Sequence, residues 1–329
     1  MNHSAGGTLA VIVVNFGSSD LLRRTLLPLT AQLEDAVTVV VDSYSTAAER
    51  AAIAALAAEA GWSLVTPEEN IGFGAGMNAG AERARSLGAA TFLLLNPDAS
   101  IEPDAIARLQ ARCSDDPFVL AAPTVLRPDG SVWSAGSDLY LADGRIRSAR
   151  RRGDFPGARR EEWLSGACLM LTAALWDAID GFDPGYFLYW EDVDLSHRVR
   201  AAGGRLEVLA DATAVHAEGG TQGTDGRQAG AQSAGEPKSS VYYYYNIRNR
   251  LLFASRHLPD SDLRAWRRAT VRVSWEILLQ GGRRQFLRSA APLVAGWRGV
   301  RDGRRLVREE LRRRSEQPLV GGQPAVERR

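Results

Sequence analysis

At 329 residues, with 45% hydrophobic and 24% charged residues, the chain can fill one large globular core or two modest ones. A net charge of +1 excludes the broad field that nucleic acid or an acidic partner would draw on. Two cysteines, Cys113 and Cys168, are too few for a disulfide framework and suit a reducing compartment. Lys238 is the only lysine, a bias that fits a GC-rich genome better than a binding site. The start MNHSAGGTLAVIVVNF has no basic leader, and no segment reaches spanning length without a charge. A cytoplasmic chain is expected, with any membrane contact peripheral.

Leu9 to Val14 (LAVIVV) is a continuous apolar run ending at Asn15, the pattern of a strand buried on both faces. Ser19 and Asp20 cap a helix through Leu33. Val37 to Val41 is a second buried strand that ends at Asp42. Helical spacing resumes through Ala60, and Trp62 to Val65 reads as a third strand. After NIGFGAG comes a helix from about Met77 to Leu87, then a strand at Thr91 to Leu95 that ends in Asn96-Pro97-Asp98. Strands alternating with helices imply a parallel α/β sheet, whose ligands bind outside the carboxyl ends of the strands. Asn15, Asp42 and Asp98 all fall at such ends.

The second half is less regular. Val119 to Leu126 is a strand, and Asp143-Gly144 turns a hairpin. Arg145 to Arg160, rich in arginine and broken by Pro and Gly, is expected as an exposed loop. Glu162 to Leu171 reads as one strand whose small central residues let it pass close to a ligand. Thr172 caps a helix, and Arg205 to Leu209 and Ala212 to His216 are short strands. Residues 219–240 are poor in apolar side chains and are expected as a mobile loop. A helical pattern follows, and residues 317–329 are expected to be disordered.

Three stretches carry chemistry. Asn70 to Gly80 (NIGFGAGMNAG) is a glycine-rich entry to a helix, where backbone can approach a phosphate; tight helix–sheet packing explains it equally well. Asp98 projects after a proline that stops the ladder, and one carboxylate there can hold a divalent cation, whereas Asn-Pro-Asp alone also makes a simple turn. Gly181 to Arg200 sets an aromatic run that includes Tyr189 and Trp190 before Glu191, Asp192 and Asp194 at a helix start. The rings offer a platform for a sugar, and the adjacent acids a general base whose neighbours raise its proton affinity. A solvated helix start, where acids are favoured anyway, is the alternative.

The ordered blocks VIVVNFG, VVVDSYST, NIGFGAGMNAG, LLLNPD, GFDPGYFLYWEDVDLSHRVRAAG and AVHAEGG resemble the family-2 inverting glycosyltransferases, in their bacterial rhamnosyltransferase and galactofuranosyltransferase-like branch. The resemblance implies the GT-A fold over residues 1–255. A nucleotide-binding half would cover about 8–125 and an acceptor half about 126–255, with a helical extension at 256–316. It further implies transfer of a sugar, rhamnose-like by preference, from a dTDP-, UDP- or GDP-linked donor. The acceptor would be a hydroxyl of a glycan or polyprenyl-linked substrate in cell-envelope synthesis, and the cofactor Mg²⁺ or Mn²⁺. Carried over by position, Asp192 is the catalytic base with Glu191 beside it, and Asp98 and His216 are metal ligands. Asn15, Asp42, Asn70, Gly72, Asn78 and Asn96 line the donor pocket by the same carry-over, while Tyr189 and Trp190 are the acceptor or sugar platform by their aromatic chemistry. The usual VVVDNASTD reads VVVDSYSTA here, which bears on the donor-base contacts. A non-catalytic sugar- or nucleotide-binding module and a nucleotidyltransferase stand as alternatives. The C-terminal helices, with Trp and Arg on opposing faces, suit peripheral membrane contact or a homodimer.

Overall fold

In the computed structural model, which describes residues 8–217 and 238–316, the alternating pattern of the first half folds as strands and helices in turn. Strand β1 (Thr8–Asn15) leads to α1 (Ser19–Thr30), β2 (Val37–Asp42), α2 (Ala47–Ala60), β3 (Ser63–Val65), α3 (Phe73–Ser86) and β4 (Ala89–Leu95). Then come β5 (Ala99–Ile101), α4 (Pro103–Asp115) and β6 (Val119–Leu126). Strands β3, β2, β1 and β4 lie side by side in parallel, and Asn15 stands in register with Asp42. The unbroken apolar run of β1 follows from burial on both faces. Leu9, Val11 and Val13 pack toward α1, α2 and α4, while Ala10, Ile12 and Val14 pack toward α3. Each of the Leu, Val and Ile side chains contributes roughly 2 kcal/mol by leaving water.

The second half adds β7 (Val132–Ser134), β8 (Ser137–Tyr140), β9 (Arg145–Ser148), β10 (Arg160–Trp163), β11 (Cys168–Thr172), α5 (Ala173–Ala178), α6 (Glu191–Ala201) and β12 (Arg205–His216). Strand β11 enters the main sheet antiparallel between β4 and β6, and β12 runs parallel to β6. Strand β5 then pairs with the end of β12, which sets His216 opposite Ala99. Helices α7 (Ser240–His257), α8 (Asp260–Leu279), α9 (Gln285–Arg288) and α10 (Ala291–Glu316) complete the chain. They share a separate core in which Trp266 is fully buried with Phe253, Leu251 and Val307. The indole N–H of Trp266 donates to the Leu141 carbonyl at 2.7 Å, tying these helices to the β8–β9 hairpin.

Several expectations change. Arg145 to Arg160, none of it buried, is ordered rather than a loop: it holds β9, a 3-10 turn at Ala149–Asp154 and the start of β10. Asp138, fully buried in β8, is one reason, since Arg152 donates to both its oxygens at 2.7 and 2.8 Å. The one strand expected over 162–171 is two, β10 and β11, separated by Leu164 to Ala167. The two short strands after Arg205 are one, with a bulge between Leu209 and Thr213. The loop expected over 219–240 ends by Ser239, whose hydroxyl caps α7 by accepting from the Tyr242 N–H. Residues 219–237 of that loop, and the tail 317–329, lie outside the described residues.

Candidate active site

The site is built where the strands end. Asn15 and Asp42 close β1 and β2, and both are fully buried. The Asn15 amide donates to Asp42 Oδ1 at 3.4 Å and accepts from the Ser18 N–H at 3.2 Å. The Arg50 guanidinium donates to Asp42 Oδ2 at 2.9 Å. Asp42 and Asn15 therefore brace the strand ends, their hydrogen bonds running to Arg50, to Ser18 and to each other. The side chains left open at this edge are Phe16, 44% exposed, and Tyr44, 36% exposed, with Arg50 4.6 Å from the Tyr44 ring centroid.

The glycine-rich segment also serves packing. Asn70 accepts from the Gly72 N–H at 2.9 Å and turns the chain into α3. Gly72 has φ +84°, and a Cβ there would lie 2.3 Å from the Phe187 carbonyl oxygen. That same oxygen accepts from the Phe73 N–H at 2.9 Å. Asn78 donates to the Phe182 carbonyl and accepts from the Phe182 N–H, both at 2.8 Å. Gly72 and Asn78 thus fasten α3 to the Gly181–Trp190 segment, and Asn70 holds the turn that leads into α3. Of the two readings open for NIGFGAGMNAG, close packing is the one these contacts support.

After β4 the Asn96 N–H donates to the Ala167 carbonyl at 3.0 Å, and the Ala99 N–H closes the turn onto Asn96. Asp98 is buried, and its Oδ1 lies 3.0 Å from Nε2 of His216, 118 residues away in sequence. The His216 ring leans on Trp133, with centroids 4.7 Å apart. Its Nδ1 is buried with no hydrogen-bond partner among the described residues. One carboxylate and one imidazole in contact at a strand end are a fitting half-shell for Mg²⁺ or Mn²⁺, with the other positions left to phosphate oxygens and water. No cluster of three or more potential metal-ligating side chains occurs among the described residues, so a cation would need those outside ligands.

Asp192 stands in the first turn of α6. Its Oδ2 accepts from the Gly166 N–H at 3.0 Å and its Oδ1 from the Val193 N–H at 2.8 Å. Gly166 adjoins Ala167, so two hydrogen bonds link the Asn96–Asp98 turn to Asp192 through one short segment. Desolvation pushes the Asp192 carboxyl up to about 6, against the downward pull of the backbone N–H donors. Burial, not repulsion from its neighbours, is the cause. Glu191 is buried, and its carboxyl rises well above the ordinary value, through desolvation first and then the charges of Asp192 and Asp194. Its Oε2 has no hydrogen-bond partner among the described residues, and its burial removes it from direct proton exchange with an acceptor. Asp194 is fully buried between His257 Nε2 at 2.6 Å and Arg198 Nε at 2.7 Å. Burial raises the Asp194 carboxyl, but His257 and Arg198 outweigh it and hold it below the ordinary value.

The entry to α6 is strained. Tyr189 and Trp190 carry φ of +65° and +74°, a region that side chains rarely occupy. Asn249 of α7, fully buried, holds them there by donating to the Leu188 and Tyr189 carbonyls at 2.9 and 2.8 Å. Trp190 is 4% exposed and packs against Phe253 and Trp266, so it cannot carry a sugar on its face. Its size and apolarity, which suggested a platform, serve the core between α6, α7 and α8. Tyr189 is partly buried, edge-on to Tyr242 at 5.2 Å. Sequence reasoning missed Arg50, Tyr44 and Asn249 as parts of this site. Tyr44 was visible only as a departure from the family pattern, and nothing in the spacing marks Asn249.

A family model described as "Glycosyltransferase like family 2" matches residues 6–235. An N-acetylglucosaminyl-diphospho-decaprenol L-rhamnosyltransferase of Mycobacterium tuberculosis is 28% identical over 242 residues, 66% of this chain and 78% of its own. Rhamnosyltransferase WbbL of Escherichia coli K12 is 36% identical over 55 residues, 17% of this chain and 21% of its own. Among solved structures, the Pyrobaculum calidifontis mannosyltransferase PcManGT, in complex with GDP-Man and Mn²⁺, superposes with a TM-score of 0.53 at 15% identity. That match covers 93% of this chain and 87% of the mannosyltransferase. GalNAc-T7 with UDP, GalNAc and Mn²⁺ gives a TM-score of 0.51 at 16% identity, over 65% of this chain and 44% of its own. At these identities the structural likeness speaks for the fold.

Proposed function

The chain belongs to glycosyltransferase family 2, with the GT-A fold, and on that footing we propose an inverting transfer that uses Asp192 as general base. The observation that carries this reading is the pair of hydrogen bonds, Asn96 to Ala167 and Gly166 to Asp192, that sets the base beside the Asp98 turn. The acceptor hydroxyl gives its proton to Asp192 as its oxygen bonds to the anomeric carbon. The glycosyl–phosphate bond breaks on the opposite face, and a nucleoside diphosphate leaves. Base catalysis of this kind supplies about a hundred- to ten-thousand-fold. Tyr44 and Phe16 offer the exposed rings on which the donor base would stack. Asp98 and His216 would hold Mg²⁺ or Mn²⁺, which when bound neutralises charge on the leaving diphosphate.

A rhamnose-like sugar is favoured by the two rhamnosyltransferases above, and a lipid-linked acceptor by the name of the mycobacterial one. Such an acceptor would bring the enzyme to a membrane face; no helix among the described residues is long and apolar enough to cross one. Neither competing reading, a binding module or a nucleotidyltransferase, finds support among these relatives.

The test pairs binding with turnover. A thermal-shift panel of dTDP-, UDP- and GDP-sugars, with and without Mn²⁺, identifies the stabilising donor. Asp192→Asn is then expected to lower transfer by about a thousand-fold while the same donor still raises the melting temperature. Loss of donor binding in that variant would unseat Asp192 as base.

A further inference from the structure

Helices α8 and α10 meet in a feature the transfer reaction does not use. Arg264, Arg267 and Arg268 of α8 and Arg304 of α10 line one cavity of about 390 Å³. Arg264 is paired with Asp260, 3.1 Å away. Arg267, Arg268 and Arg304 have no carboxylate partner among the described residues, and Nε of Arg304 is buried with no hydrogen-bond partner there. Three converging guanidinium groups without counter-charges are the donor set that binds phosphate.

The same face continues as an apolar surface. On α8, positions 264, 268, 271 and 275 fall on one stripe, and on α10 so do 293, 297 and 304, by the 3.6-residue period. Because 264, 268 and 304 open into a single cavity, both stripes look out on one side. Two turns from Arg268 and Arg304, about 10 Å along each helix, the stripes carry Trp275 and Trp297, with Val271 and Leu293 on the same stripes, all between 41% and 62% exposed. Trp275 stacks on Phe286 at 5.5 Å, and the next residue, Leu287, is 89% exposed. Arg283, Arg284 and Arg288, close to that leucine in sequence, are exposed too.

We propose that this α8–α10 face docks on an anionic phospholipid bilayer. The arginine cavity takes a lipid phosphate, and Trp275, Leu287 and Trp297 enter the interfacial zone. Charge complementarity selects this occupant. A second copy of the chain, seated face to face, would set uncompensated arginines near arginines. The proposal extends the lipid-linked acceptor reading but stands on this surface alone, and the two fail separately, since vesicle binding needs neither donor nor acceptor.

The test is co-sedimentation of the full chain with phosphatidylglycerol vesicles and, separately, with phosphatidylcholine vesicles. Wild type is expected to partition onto the first only, less so as salt rises. The triple variant Arg267→Gln, Arg268→Gln, Arg304→Gln should lose about a hundred-fold in partition, as removal of three basic side chains at a charged surface implies. A second variant, Trp275→Ser with Trp297→Ser, should lose about ten-fold with its arginines intact. Circular dichroism of each variant must match wild type, and the pair of variants keeps the test decisive if one misfolds. Equal binding to both vesicles, or no loss in either folded variant, would overturn the proposal. So would a thermal shift with millimolar inorganic phosphate that competes with vesicle binding, which marks a soluble-anion site. A dimer in light scattering that Trp297→Ser dissociates would assign the face to a second copy instead.

Discussion

Asp192 and Asp42 are both carboxylates at the mouth of the site, yet their surroundings give them opposite work. Asp192 accepts only backbone N–H groups, and desolvation lifts its carboxyl to about 6. A base must be deprotonated to act, so kcat/KM should be nearly full a pH unit above 6 and fall to half as pH drops to about 6. Initial rates across pH 4.5–8 check this; an acid limb near pH 4 would show that the carboxyl is solvated like an ordinary one. Asp42, in contrast, neutralises Arg50 inside the fold. Asp42→Asn should cost about 2 kcal/mol in urea unfolding, since a partly buried arginine loses its counter-charge. Tyr44→Ala should leave stability unchanged and weaken donor binding about ten-fold in calorimetry, the scale of one lost stacking contact. If the two variants exchange these effects, the donor reaches Asp42 directly.

Helix α6 owes its position to an element far away in sequence. The left-handed pair Tyr189 and Trp190 aims the first turn, and Asn249 on α7 satisfies the two carbonyls this conformation exposes. Asn249→Leu removes both hydrogen bonds and leaves those part-buried acceptors unpaired, a loss of about 2 kcal/mol. Asp192 sits two residues beyond Trp190, so kcat should fall more than donor affinity, a split that steady-state kinetics resolves. Helix α3 is anchored to the same segment through Gly72 and Asn78. Its Gly74, Gly76 and Gly80 therefore read as close-packing points against Phe182, Val14 and Ile12, which the sequence alone left level with phosphate binding.

The C-terminal helices bear on the whole molecule. Their expected boundary at residue 256 falls inside α7, and their core reaches back to Leu139, Trp190 and Val193. Arg250 is fully buried and donates to the Asp143 carbonyl at 3.0 Å, while Trp266 bonds Leu141. We propose that residues 8–217 and 238–316 unfold as one unit. A chain cut after Leu258 should then expose Trp190 and Phe253 and fail to give a cooperative melt in calorimetry. An active, cooperatively melting fragment would restore a detachable extension.

Much was legible before any coordinates. Unbroken apolar runs such as LAVIVV and TFLLL report burial on two faces, a property of local composition. Ordered blocks such as LLLNPD and EDVDL likewise identify the family. What only the tertiary structure decided is which polar groups are already spoken for. Asn15, Asp42 and Asn78, donor-pocket residues by resemblance, hydrogen-bond in the fold to one another, to Arg50 and to the Phe182 backbone, and Trp190, a platform by type, is buried in the α7–α8 core. Those partners lie on other elements, up to 104 residues away for Asn78, and a linear pattern carries no distance between them. Burial and hydrogen-bond occupancy belong to pairs of residues, and pairs exist only once the chain has closed.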